Sequence, residues 1–147
     1  MSSPNSKTAF NYRYRGKDYP TLGFVVSVAE SILNTSEVVL KTNELESALH
    51  APVMTVGGED AYPRFFDKVA ALTYRIVTNH VFIDGNKRSG FLIAKASLEW
   101  NGYYLVSNQD TNVTMMSLLS AGHLDIAGLR HAFLLMCNYQ PAHHPEV

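Results

Sequence analysis

One cysteine, Cys137, stands in 147 residues. That scarcity excludes a disulfide framework and every zinc pattern built from several thiolates, and it points to a reducing compartment. Charge is sparse too: Asp, Glu, Lys and Arg together are 17% of the chain, below the roughly 25% of an average soluble domain. Twelve Lys and Arg against thirteen Asp and Glu leave a net charge of -1. A broad electrostatic hold on nucleic acid or an anionic membrane is therefore not expected, and any phosphate chemistry must come from a local cluster. No stretch approaches the roughly eighteen apolar residues of a membrane span, and the opening segment has no apolar signal region. A soluble, cytoplasmic protein is the expectation. Strings of the form G-x-G-x-x-G, G-x-S-x-G or H-E-x-x-H are absent as well.

What remains is ordinary globular material, 46% hydrophobic. A chain of this length is one domain and can bury roughly 68–70% of its unfolded surface without staples. Residues 1–20 differ in composition and read as an N-terminal extension or arm, with Tyr12-Arg13-Tyr14-Arg15 alternating at the period of a strand. Residues 21–140 form the domain proper, and 141–147, with His143-His144 between prolines, read as a flexible tail.

Helical spacing sets the fold class as mainly α. Thr21 caps a first helix carrying Leu22, Val25, Val26, Ala29 and Ile32, ended by Asn34. A second spans Asn43 to Ala51 and is stopped by Pro52. Met54 to Asp60, with two glycines between short β-branched runs, reads as an exposed loop or hairpin. Tyr62 to His80 is the clearest helix; Lys87 to Trp100, apolar nearly all round, reads as a buried central one. Tyr103 to Val106 is a short extended piece. Two further helices fit Asn112–Ala121 and Asp125–Tyr139, the last placing Ile126, Leu129, Phe133 and Cys137 on one stripe. Cys137 and Trp100 are read as core. His123 and His131 show no ligand pattern; His50, after the second helix, is within reach of the site, but nothing in the sequence places it there.

The informative segment is His80-Val-Phe-Ile-Asp-Gly-Asn-Lys-Arg-Ser-Gly90. If one helix ends near His80 and the next begins near Asn86, the loop between them presents unpaired backbone N–H groups at a helix N-terminus, which favours an anion. Gly85 lets the backbone come close, and Lys87 and Arg88 add full charges. Asp84 beside that cradle would repel phosphate unless a divalent cation lay between them, a condition that Mg²⁺ meets. His80 carries an imidazole, suited to removing a proton from an incoming hydroxyl. Phe82 and Ile83 are expected to face inward and anchor the loop. The implied chemistry is hydroxyl attack on phosphorus, with catalysis by positioning and charge stabilisation.

HVFIDGNKRSG resembles the signature loop of the Fic/Doc family, and specifically its death-on-curing (Doc) branch. LESALHAP at 45–52, GGEDAYP at 57–63, LEWNGYYL at 98–105 and the closing LLSAGHLDIAGLRHAFL follow the same layout, so the likeness runs over residues 20 to 138. It implies a compact Fic-fold helical domain with a buried central helix and a short β flap. It further implies His80 as general base with Arg88 in catalysis, Asp84 as Mg²⁺ ligand, and Gly85, Asn86, Lys87 and Arg88 as phosphate binders. Thr55, Val56, Gly57 and Gly58 fall where the family carries a target-binding flap.

Two positions choose between branches. AMP-transferring members carry Gly where this chain has Lys87, and a second Arg where it has Phe91; both differences match Doc. The resemblance thus implies a toxin that moves the γ-phosphate of ATP to a Ser or Thr of a target protein, with elongation factor Tu the implied target. AMP transfer and a non-catalytic interaction domain are the alternatives. Self-inhibited members carry a Ser/Thr-x-x-x-Glu-Gly/Asn helix, whereas Thr42–Glu46 is followed here by Ser47 and Thr55–Glu59 by Asp60. A separate antitoxin chain is therefore the implied partner.

Overall fold

The computed structural model describes residues 2–140; the tail expected over 141–147 lies outside them. The described chain opens with an antiparallel hairpin, β1 (Asn11–Tyr14) and β2 (Lys17–Pro20), whose buried Tyr12 and Tyr19 face each other across the register. Helix α1 (Leu22–Leu33) follows at once. Thr21 accepts from the Phe24 N–H as its N-cap, and Asn34 closes it in the left-handed conformation. Helix α2 (Thr42–His50) runs into a 3₁₀ turn, Ala51–Val53, because Pro52 cannot continue the α-helical ladder. A small hairpin, β3 (Thr55–Val56) and β4 (Glu59–Asp60), turns through Gly57 and Gly58 at φ of 60° and 83°. Two consecutive positive φ values are what a two-residue hairpin turn requires.

Helix α3 (Phe65–Thr78) is the centre of the molecule. Ten of its residues are buried, because one side packs with α4 (Asn86–Glu99), α5 (Gln109–Ser120) and α6 (Ile126–Met136), and the other with α2 and the 3₁₀ turn that follows it. Val69, Ala70 and Val77 belong to the first cluster; Leu72 and Ile76 belong to the second. The most deeply enclosed helix is thus α3 rather than α4, which keeps an exposed flank at Leu92. Gly90 permits the close approach of the two: a Cβ there would lie 2.4 Å from Val77 Cγ2.

Three local expectations are corrected. Helix α5 begins at Gln109, three residues before Asn112, because Asn108 is the cap and accepts from the Thr111 N–H at 2.9 Å. The last helix ends at Met136, and Cys137–Tyr139 form a strand, β6, on β5 (Tyr103–Leu105). Cys137 repeats the apolar spacing of the helix, yet β5 offers an open ladder edge and Tyr103 packs on Tyr139 at 4.7 Å, so strand pairing wins. Cys137 is half-buried, and desolvation pushes its thiol up to about 11, away from reactivity. Finally, Phe82 is buried but Ile83 is 52% exposed. Both lie on an extended segment bridged to Val39, where successive side chains point to opposite sides, so only one of them can enter the core.

Candidate functional site

The site is assembled where α3 stops. After Thr78 the chain closes a Schellman motif: the His80 N–H donates to the Val77 carbonyl at 3.3 Å and the Val81 N–H to Ile76 at 3.4 Å. That motif needs a left-handed residue, ordinarily glycine, yet His80 occupies it at φ 51°. A side chain is kept where the backbone would prefer none, and such strain gathers at functional positions. The helix therefore ends two residues before the expected His80.

The imidazole is exposed, and its Nδ1 lies 3.2 Å from the Thr78 carbonyl. A carbonyl can only accept, so Nδ1 is the donor, and in the neutral ring Nε2 then has the lone pair for a proton from outside. Residues 81–83 are braced against the segment before α2, with the Leu40 N–H on Val81 at 2.8 Å and the Ile83 N–H on Val38 at 2.9 Å. His80 thus sits between a helix end and a fixed loop.

Gly85, at φ 67°, turns the chain into α4 without any side-chain cap. The first intrahelical bond is from the Ser89 N–H to the Gly85 carbonyl at 2.8 Å. The N–H groups of Asn86, Lys87 and Arg88 are the unpaired donors of that helix end, at the positive pole of its dipole. Lys87 and Arg88 are exposed, and neither has an acidic partner among the described residues. Asn86 is spent differently. Its Oδ1 accepts from the Phe82 N–H at 2.9 Å and its Nδ2 donates to the Phe82 carbonyl at 3.0 Å, so the amide ties the loop and the backbone N–H is what it offers an anion.

Asp84 is exposed, with Oδ1 held by the Gly85 N–H at 2.7 Å. No group of three His, Cys, Asp or Glu that could hold a metal exists among the described residues. A lone oriented carboxylate beside an anion site fits Mg²⁺, which is commonly bound through one or two carboxylates and substrate phosphates rather than by a protein cage.

These residues line one cleft of about 870 Å³, within the usual range of roughly 300–1,000 Å³ for ligand sites. His80, Asp84, Gly85, Asn86, Lys87 and Arg88 all border it, with Phe91 of α4. The opposite wall, from Gln109, Asn112, Val113 and Met116 of α5 and the end of α1, was invisible to sequence reasoning. It lies more than twenty positions downstream or more than forty upstream of the loop, and only Val113, an exposed apolar residue in a polar stretch, hints at it. Thr55, Val56, Gly57 and Gly58 are not among the residues that border the cleft; they form the exposed tip of the β3–β4 hairpin. Among the described residues no helix is long and apolar enough to cross a membrane.

The model of the Fic/DOC family matches residues 14–98, from the first hairpin through most of α4. A curated protein called Toxin Doc, from Mycolicibacterium smegmatis (strain ATCC 700084 / mc(2)155), is 43% identical over 68 residues, which are 46% of this chain and 52% of that protein. The chain thus matches about half the length of that relative.

Proposed function

The chain belongs to the Fic/DOC family, and on that premise we propose that it is a Doc-type toxin: a cytoplasmic protein kinase that transfers the γ-phosphate of ATP to a Ser or Thr hydroxyl of a target protein. The observation that carries the reading is the pairing, in one cleft, of a histidine with an open Nε2 and a helix end whose donors and two cations are unneutralised. Three backbone N–H groups with Lys87 and Arg88 suit a phosphate chain and the charge that grows on it during transfer. Arg88 offers a planar fork to two oxygens, whereas Lys87 adds a point charge.

In the step itself the target hydroxyl forms a bond to the γ-phosphorus while the bond from that phosphorus to its bridging oxygen breaks, and ADP departs. The hydroxyl proton passes to His80 Nε2. A divalent cation at Asp84, when bound, supplies charge neutralisation between carboxylate and phosphate. Lys87 and Phe91, at the positions where AMP-transferring relatives carry Gly and Arg, support γ- over α-phosphorus as the site of attack; both border the cleft. The β3–β4 hairpin serves as the target-facing flap. Elongation factor Tu is the proposed target, and a separate antitoxin chain the proposed inhibitor.

Incubation with bacterial lysate and ATP labelled at the α or the γ position tests the reading. Label from the γ position alone should appear on protein, and should vanish with His80→Ala. Transfer of α label alone would replace kinase by AMP transfer.

A further inference from the structure

Lys68 is a buried cation that the chemistry above does not use. Its side chain is 3% exposed, and Nζ donates to the Pro52 carbonyl at 2.6 Å and to Asp60 Oδ2 at 2.9 Å. Pro52 precedes β3 and Asp60 ends β4, so one ammonium from α3 grips both legs of the small hairpin. Asp60 is held further: Tyr14 donates to its Oδ1 at 2.7 Å, and Arg15 lies 3.2 Å from its Oδ2. Hydrogen bonds from Lys68, then Tyr14, keep its carboxyl below the usual carboxylate range. Seven residues on, Arg75 donates to Tyr62 Oη, just beyond the hairpin, at 3.0 Å and to Ser47 Oγ of α2 at 3.2 Å. Both cations lie on one face of α3, whose C-terminal Schellman motif contains His80.

Burying an ammonium is costly, and packing alone would be served at least as well by an apolar pair. What the ion pair adds is direction. A two-residue-per-strand hairpin is too small to hold its own orientation in water, and here its legs are tied to the helix that also carries His80.

We propose that Lys68, through Asp60 and Pro52, is a positioning residue that sets the orientation of the β3–β4 hairpin relative to His80, and so governs the engagement of the protein target without touching substrate. The inference rests on the hairpin being the target-facing element of the transfer reaction. It separates two groups of residues: the cleft sets nucleotide use, and the Lys68 clamp sets acceptor use.

The experiment compares wild type with Lys68→Met, Asp60→Asn and Arg15→Ala, each first shown folded by thermal unfolding above the assay temperature. γ-Labelled ATP is the donor and a dilution series of clarified bacterial lysate the acceptor. The half-saturating lysate concentration should rise about tenfold for Lys68→Met and Asp60→Asn, while the half-saturating ATP concentration stays within about twofold. Arg15→Ala, which removes an exposed side chain's contacts to Asp60 and Tyr14, should give a smaller rise in the same direction and keeps the test alive if the buried variants do not fold. Hydrogen exchange of amides 54–61 should quicken in the same order. Unchanged acceptor dependence in a folded variant, or equal changes in ATP and acceptor dependence, overturns the clamp. A wild type that labels no protein overturns the transfer reading instead.

Discussion

The two ends of α3 handle charge in opposite ways. At its start, Lys68, Asp60 and Asp67 are buried or nearly so and every charge is answered: Lys68 by Asp60, Asp67 by Arg64 at 2.8 Å and Arg130 at 2.9 Å. At its finish, His80, Asp84, Lys87 and Arg88 stand exposed, and none of them forms an ion pair among the described residues. Neutralised charge fixes geometry; charge left bare is available to a ligand. The backbone follows the same division. Asp67 accepts from the Arg64 N–H at 3.3 Å at the start of α3, whereas α4 begins uncapped on the cleft.

The sharpest way to break this contrast is His80→Gly. Glycine suits the left-handed position at which histidine is strained, so the melting temperature should hold or rise while transfer falls by about a hundredfold or more. A variant with lower stability and intact transfer would mean that His80 is a structural residue. Next in size is Gly90→Ala. Its methyl would meet Val77 Cγ2, and overpacking of that kind costs about 1–3 kcal/mol, seen as a lower midpoint in denaturant. An unchanged midpoint would show that α3 and α4 can separate at no cost.

Arg88→Lys keeps the charge and loses the fork, so transfer should drop about tenfold with stability moving by less than about 0.5 kcal/mol. Lys87→Gly should reduce γ transfer and open room beside Gly85. If γ transfer is untouched, Lys87 is solvated charge and Phe91 alone distinguishes the branches.

The smallest effect concerns pH and belongs to the paired end. Asp60 has its folded carboxyl lowered by Lys68 and Tyr14, so its contribution is present above the ordinary carboxylate range and is lost as pH falls through the lowered value. Tyr12 and Tyr19 are shifted the other way, upward by burial. Their contribution is whole below the ordinary tyrosine range and is lost as pH rises beyond it. Thermal unfolding across pH should show both shoulders. Asp60→Asn should remove the acid one only.

Much of the fold could be read from local pattern. Apolar patterning and stop signals located all six helices, and the Gly57-Gly58 pair marked a loop or hairpin, because apolar pattern and turn chemistry are properties of neighbouring residues. The same holds for the loop from His80 to Arg88, where residue types alone suggested a base beside an anion cradle. Errors arose where distant chain intervened. Cys137 continues a helical stripe in sequence but pairs with Leu105 in space. Nor could residue type alone show that the Asn86 side-chain amide ties to Phe82, which leaves its backbone N–H as the donor facing the cleft.

What the sequence by itself determined is therefore the helical class, the turn at Asp84-Gly85-Asn86 and the kit of reactive groups, since each depends on residues within a few positions of one another. The tertiary structure alone decided which charges are spent and which are free. It buried Lys68 against Asp60 and Pro52 and raised α5 as a wall of the cleft. The physical reason is that an ammonium or carboxylate has the same chemistry wherever it stands in the chain, and only the partners and the water around it decide whether it holds the fold or meets a ligand.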